Sequence, residues 1–231
     1  MKIDLPLNGI EIHNATQRTV AILGQKGTGK TMTLKMLAYR LLDYNVGIYV
    51  LDLLNVIRIR GFKKIVIKKG EADKGDKLAS LLNNNKRMRV IIGFEGLLQG
   101  ETAEFMDKFF SVWKPKNAIV LIDEIHEFLP ESTMGSNYSF EAERAIRHWR
   151  NAKEEVGNVG FFFSSQRPQF VNKKILALSD AWFLFRVVGD RDRKPIMDTL
   201  SGVLTDEQLN QIITELPQKG FLQGYYVDFY K

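Results

Sequence analysis

Three features of the sequence predict an α/β fold built on a mostly parallel sheet flanked by helices. Short apolar runs at 19–23, 47–51, 118–122 and 159–164 read as strands buried on both faces, since they are nearly continuous rather than alternating. Between them lie segments with apolar residues at helical spacing, such as Met32, Leu34, Leu37, Ala38, Leu41 and Leu42. Strands alternating with helices in this way form parallel sheets with covered faces. The third feature is the turn after the first strand, rich in glycine and opening directly into a helix.

Residues 1–17 read as a lead-in or arm, with a short strand at 10–13. Residues 18–231 read as a single domain that ends in a C-terminal helix and a closing strand or hairpin. The first strand, 19–23, leads through the glycine-rich turn into a helix at 32–44. A strand at 47–51 is closed by Asp52, and 63–69 forms a short strand with charged flanks around Ile65, Val66 and Ile67. Residues 70–76 are polar and turn-rich, 78–82 suggest a helix, and 89–94 a strand. An amphipathic helix spans 102–113, and Pro115 breaks the chain before the strand at 118–122. Residues 130–138 are the most loop-like segment. A charged helix at 140–152 places Ala142, Ile146 and Trp149 on one side. The strand at 159–164 is followed by a short helix at 172–178 and a strand at 181–188. Asp190-Arg191-Asp192 follows that strand. Thr205 opens a helix at 205–216 as N-cap, with Gln208 three residues on completing a capping box, and 220–230 closes the chain.

At 231 residues, with 45% apolar and 26% charged side chains, the chain has an ordinary globular composition and enough length for a sizeable core. No apolar run approaches the ~20 residues of a membrane span, and the N-terminus has no signal-peptide core. Cysteine is absent, which excludes disulfides and thiolate metal sites, and the scattering of the three histidines argues against a protein-built zinc site. These observations fit a protein of the cytoplasm. The net charge of +6 fits a polyanionic partner, nucleic acid first, and equally a generic basic surface.

The chemistry concentrates in three stretches. Gly24, Gly29, Lys30 and Thr31 carry the phosphate-loop spacing of two glycines followed by Lys and Ser/Thr. Glycines let the backbone curl so that its N–H groups converge on anionic oxygens, and the following helix adds the positive end of its dipole. Gly24, Gln25, Lys26, Gly27, Thr28, Gly29, Lys30 and Thr31, continued by Met32, are therefore the candidate nucleotide-binding set. Lys30 can reach the β- and γ-phosphates, and the Thr31 hydroxyl can hold Mg²⁺. In the second stretch, an apolar strand ends in Asp123-Glu124. Asp123 can support Mg²⁺, and Glu124 can polarise the water that attacks the γ-phosphate. An Asp-Glu pair also fits an ordinary strand end. The third stretch, Phe161-Phe162-Phe163-Ser164-Ser165-Gln166-Arg167-Pro168, sets an amide side chain, Gln166, after a strand, where it can hydrogen-bond the phosphate and the attacking water. The aromatic run before it fits a buried strand, and Trp113, Trp149 and Trp182 fit core or interface positions. Asp52 fits a strand cap or a residue near the site, and His126 a packed or surface histidine.

Together these stretches resemble the HerA/FtsK superfamily of DNA-pumping ATPases, with the Gln166-Arg167-Pro168 signature as the discriminating part. The resemblance covers residues 18–188, and it implies an acidic turn near Asp190-Arg191-Asp192. It implies a RecA-like fold and subunits assembled in rings, usually hexamers, around duplex DNA. It also implies that residues 24–31 bind ATP, Asp123 supports Mg²⁺, Glu124 activates water and Gln166 senses the γ-phosphate. Members supply an arginine across the subunit interface from the helix or loop before the Gln-Arg-Pro strand. The candidates are Arg144, Arg147 and Arg150, and Arg150 is preferred because it lies nearest the turn before Val159. Residues 153–157 are an insertion where many members turn directly. The N-terminal β-barrel of HerA helicases and the membrane spans of FtsK motors have no counterpart here. In size the chain is most similar to the genome-packaging ATPases of membrane-containing archaeal viruses, which implies capsid or other virion proteins as partners and a host cytoplasm.

The expected function is an ATP-hydrolysing translocase of double-stranded DNA, such as a genome-packaging motor. The alternatives are a HerA-like helicase in DNA end processing, a plasmid DNA-transfer ATPase, and a DNA-independent nucleotide switch or assembly factor. A small-molecule kinase is disfavoured by Glu124 and the Gln-Arg-Pro signature. Basic runs at Arg58, Arg60, Lys63 and Lys64, at Lys68 and Lys69, at Lys86, Arg87 and Arg89, and at Lys173 and Lys174 can meet phosphates, or can be solvated faces.

Overall fold

The computed structural model describes residues 5–7, 9–85, 87–131, 137–151 and 158–229. Lys86, Ala152, the centre of the expected loop at 132–136 and the insertion at 153–157 lie outside the described residues. Ten strands are described: β1 (Leu5–Leu7), β2 (Ile10–Ile12), β3 (Thr19–Leu23), β4 (Gly47–Asp52), β5 (Lys63–Lys68), β6 (Arg89–Glu95), β7 (Ala118–Asp123), β8 (Val159–Ser165), β9 (Ala181–Phe185) and β10 (Gly224–Asp228). Seven α-helices accompany them: α1 (Lys30–Arg40), α2 (Gly75–Asn84), α3 (Gln99–Val112), α4 (Phe140–Asn151), α5 (Lys173–Ala177), α6 (Asp190–Leu200) and α7 (Asp206–Glu215).

Eight strands form one sheet in the order β10-β9-β3-β8-β7-β4-β6-β5, and β1 pairs with β2 separately. All pairs in the large sheet are parallel except β10 with β9. This is the expected α/β architecture, a RecA-like sheet with one antiparallel edge. Its central strands β3, β4, β7, β8 and β9 are buried along their whole length because both faces are covered. In β3, Val20 and Ile22 face one apolar cluster with Leu34, Leu37 and Ala38 of α1, while Ala21 and Leu23 face the other. That second cluster holds Phe105, Phe109 and Trp113 beside Trp149, Phe161 and Phe163. All three tryptophans and the aromatic run Phe161, Phe162 and Phe163 are buried. No helix among the described residues is long and apolar enough to cross a membrane.

Two elements differ from the expectation. The acidic turn at 190–192 is the start of α6, an 11-residue helix with Pro195 inside it. Only Ile196 and Leu200 are buried in it, too few to show a helical stripe in the sequence. β9 ends at Phe185 instead of continuing to Val188, because the chain turns there to meet the phosphate loop: Gln25 N–H donates to the Arg186 carbonyl at 2.9 Å. The Thr205 cap is as expected, with Thr205 accepting from Gln208 N–H and the Gln208 side chain accepting from Thr205 N–H.

The chain passes from β3 to β4 over the two positions occupied by β8 and β7. In open α/β sheets, ligands bind beyond the carboxyl ends of strands at such a switch. The phosphate loop, Asp123-Glu124 and Gln166 follow β3, β7 and β8, so all three candidate stretches arrive at this one edge.

Candidate active site

The loop between β3 and α1 has the backbone its glycines require. Gly24, Gly27 and Gly29 take φ values of 157°, 77° and 111°. A Cβ on Gly24 would lie 2.6 Å from the Cβ of Phe185, so β9 and the loop touch only because that position is glycine. No side chain caps α1 at Gly29. The N–H groups of its first turn have no intrahelical carbonyl to reach, and they face the loop as donors for an anion.

Lys30 is buried, and its Nζ donates to the Gln25 carbonyl at 3.0 Å. Burial pushes its ammonium pKa down, against the carboxylates of Glu124 and Asp123, which raise it. A cation held this way exchanges a carbonyl for phosphate oxygens with little reorganisation. The Thr31 hydroxyl donates to Asp123 Oδ2 at 3.0 Å. These are two hard oxygen donors, one from each motif. They suit Mg²⁺, which takes one or two protein oxygens and completes its shell with phosphates and water.

Asp123 and Glu124 end β7 with both carboxyl groups largely withdrawn from solvent. Burial pushes the Asp123 carboxyl up, and the hydroxyls of Ser164 and Thr31 pull it down. Burial likewise raises Glu124, opposed by the Gln166 N–H and by Lys30. Glu124 adopts φ 58° and ψ 55°, the left-handed region that a glutamate rarely takes. Its position is held from two sides. Glu124 N–H donates to Ser164 Oγ at 3.1 Å, and Gln166 N–H donates to Glu124 Oε2 at 3.0 Å. Residues held in such sparsely populated regions cluster at active sites and ligand clamps.

Sequence reasoning assigns no role to Ser164 and Ser165, which immediately precede the Gln166-Arg167-Pro168 signature. Ser164 Oγ donates to Asp123 Oδ1 while accepting from Glu124 N–H, so one hydroxyl orients both acidic residues. Ser165 Oγ lies 3.1 Å from His126 Nδ1, and that nitrogen is 3.4 Å from Glu124 Oε2. His126 is thus packed, as expected, but packed against the Glu124 carboxylate. The only legible signal was its spacing, two residues beyond Glu124. Gln166 borders a cavity of about 410 Å³ together with Gln99, His126, Glu127, Asn137 and Arg167.

Asp52 is a strand cap. Its carboxylate accepts from Val56 N–H at 3.0 Å and Ile57 N–H at 2.6 Å, and pairs with Lys64 at 3.0 Å. It lies beside Asp123 in the sheet and adds to the rise of that carboxyl.

The three arginines of α4 divide. Arg150 is held inside its own chain, with Nη2 2.6 Å from the buried Asp180 and Nε donating to the Leu178 carbonyl at 3.2 Å. Arg147 pairs with Glu143 at 3.5 Å and its side chain is 54% exposed, and Arg144 is more exposed still. Arg150→Ala is therefore expected to act on the fold. It leaves a buried carboxylate short of its cation, a loss of about 3 kcal/mol in urea denaturation. Arg147→Ala, on the surface, should cost under about 1 kcal/mol.

The sequence pattern of the ATPase family associated with various cellular activities (AAA) matches residues 20–186. No curated protein matches the sequence. Among solved structures, the genome packaging NTPase B204 from Sulfolobus turreted icosahedral virus 2, in complex with ATP-gammaS, superposes with a TM-score of 0.60 at 12% identity, covering 93% of each chain. B204, the DNA-packaging ATPase of Sulfolobus turreted icosahedral virus, gives 0.53 at 14% identity over 92% of this chain and 93% of that one. The pCW3 conjugation coupling protein TcpA, with ATPgS, gives 0.50 at 14% identity, over 84% of this chain and 56% of that one. At these identities the likeness is one of fold.

Proposed function

The chain belongs to the ATPase family associated with various cellular activities, and from that premise we propose that it is a Mg²⁺-dependent ATPase that translocates double-stranded DNA. The observation that carries this reading is the convergence of Lys30, Thr31, Asp123, Glu124 and Gln166 at the ends of three neighbouring strands. Such a set positions a triphosphate and an attacking water, and little else is needed for phosphoryl transfer. Residues 24–32 bind the triphosphate. Lys30 meets the β- and γ-phosphates. Thr31 and Asp123 would hold Mg²⁺, which would supply positive charge against the phosphate oxygens. Glu124 takes the proton of the attacking water at its carboxylate, with Ser164 and the Gln166 N–H fixing its aim. The Gln166 side chain follows the γ-phosphate.

The fold neighbours support a DNA substrate: B204 is a genome-packaging NTPase and TcpA a conjugation coupling protein. Packaging of a viral genome, beside capsid proteins in a host cytoplasm, is the reading we favour, and DNA transfer between cells is the second. In both, the chain works as a ring, taken here as a hexamer. Arg147 then supplies the arginine that completes a neighbour's site, since Arg150 is committed to Asp180 in its own chain.

The basic runs also divide by position. Arg87 and Arg89 lie where β6 begins, at the opposite edge of the sheet from the site. Lys63 and Lys68 flank β5, the outer strand of the sheet, where charge discourages pairing with another chain. Lys173 pairs with Glu131 at 2.8 Å. Arg58 and Arg60 are exposed on the segment between β4 and β5, which leaves the site edge of the sheet and returns past Tyr39 in the last turn of α1, where Arg60 N–H donates to the Tyr39 hydroxyl at 3.4 Å. We assign them to the DNA backbone. Arg58→Ala with Arg60→Ala should leave DNA-free ATP hydrolysis unchanged and lower the log–log salt slope of duplex binding by about one per arginine. An unchanged slope would remove these residues from the interface.

A further inference from the structure

One buried ring stands behind Glu124. The His126 side chain is only 10% exposed, with Nδ1 3.4 Å from Glu124 Oε2 and 3.1 Å from Ser165 Oγ. Its other nitrogen, Nε2, lies 3.5 Å from Glu127 Oε1, and Glu127 Oε2 accepts from Gln99 Nε2 at 2.9 Å. Ser165 ends β8 and Gln99 begins α3, so the ring is tied to both elements. It sits in the single helical turn Ile125–Glu127 that follows the left-handed Glu124.

These contacts fix which nitrogen carries the hydrogen. Ser165 Oγ accepts from Arg167 N–H at 3.1 Å, so its own hydrogen is free to go to His126 Nδ1. Burial pushes the imidazole pKa down, opposed by Glu127, which favours the neutral ring. The ring hydrogen then sits on Nε2, facing Glu127 Oε1, and Nδ1 is an acceptor. Nδ1 and Glu124 Oε2 are two acceptors with no hydrogen to share. The ring closes that side of the carboxylate without donating to it. A donor in its place would stabilise the charged form and make Glu124 a weaker base.

We propose that His126 is a positioning residue for Glu124: Ser165 and Glu127 hold its ring as a wall that fixes the carboxylate while leaving it basic. The inference rests on the reading of Glu124 as the base of ATP hydrolysis. The Gln166 N–H supplies the donor on Oε2, and the ring supplies the fixed surface behind it. A base depends on such placement, since a shift of about 1 Å can cost about a hundredfold in rate. In this role His126 acts on turnover only through Glu124.

The test is hydrolysis of radiolabelled ATP by the full chain, by His126→Ala and Ser165→Ala, and by the same two changes made in Glu124→Gln. Melting curves establish that each variant is folded, and Ser165→Ala serves if His126→Ala is not. His126→Ala should lower kcat and kcat/KM by the same factor, about tenfold or more. Ser165→Ala should do so less strongly, and ATP binding should hold in both. In Glu124→Gln the two changes should cost nothing further, because the base they position is already gone. The proposal is overturned if the folded single variants keep full kcat, or if their loss lies in KM alone. It is also overturned if the changes cost as much in Glu124→Gln as in the unaltered chain, since His126 would then act independently of Glu124. Full turnover in Glu124→Gln by itself would instead overturn Glu124 as the base, and this inference with it. No hydrolysis by the unaltered chain would overturn the ATPase reading beneath both.

Discussion

Lys30→Ala is expected to remove ATP turnover, by about 10²–10³-fold or more, and to weaken ATP binding with it. Lys30 is the cation nearest both carboxylates of the site, and its Nζ already sits on the loop at Gln25. Its loss leaves the phosphates without their main counter-charge and leaves Asp123 and Glu124 facing an anionic ligand unshielded. The fold should survive, because the hydrogen bond lost is one to a loop carbonyl, while Asp123 and Glu124 lose a nearby cation, which lowers the melting temperature. Binding and turnover measured on the same preparation, with a melting curve that stays cooperative, would bear this out. Full turnover in this variant would exclude the loop as the site of hydrolysis.

Glu124→Gln separates binding from chemistry. An amide of the same shape keeps the Gln166 N–H contact through its oxygen but cannot take a proton from water. Turnover should fall by about 10²–10⁴-fold, the usual contribution of a general base. ATP affinity should hold or tighten, since a buried negative charge near the γ-phosphate is gone. Retained turnover would transfer the role of base to another group. His126 would be the first to examine, since it contacts the same carboxylate.

Much of this site was legible because its chemistry is local in sequence. A phosphate loop is a run of consecutive backbone donors, so spacing alone identifies it. Asp123 and Glu124 were legible because an apolar strand must end at a sheet edge. What could not be read is what depends on neighbouring strands. Ser164 reaches Asp123 and Glu124 only because β8 lies beside β7, and nothing in the serine itself declares that pairing. Arg150 is next to Asp180 through the same kind of long-range contact, which its place in the sequence does not declare. Leu222 meets the phosphate loop across almost the whole chain, because β10 adds to the sheet edge next to β9. α6 was hidden by its charge and by Pro195.

The most direct test of the account is steady-state ATP hydrolysis with and without long double-stranded DNA, at low and at physiological salt. A DNA motor should hydrolyse ATP several-fold faster on duplex, with the stimulation fading as salt rises, because phosphate contacts release counterions. Hydrolysis indifferent to duplex at both salt concentrations, by a protein shown to be an intact oligomer, would contradict translocation and leave a nucleotide switch or assembly factor in its place.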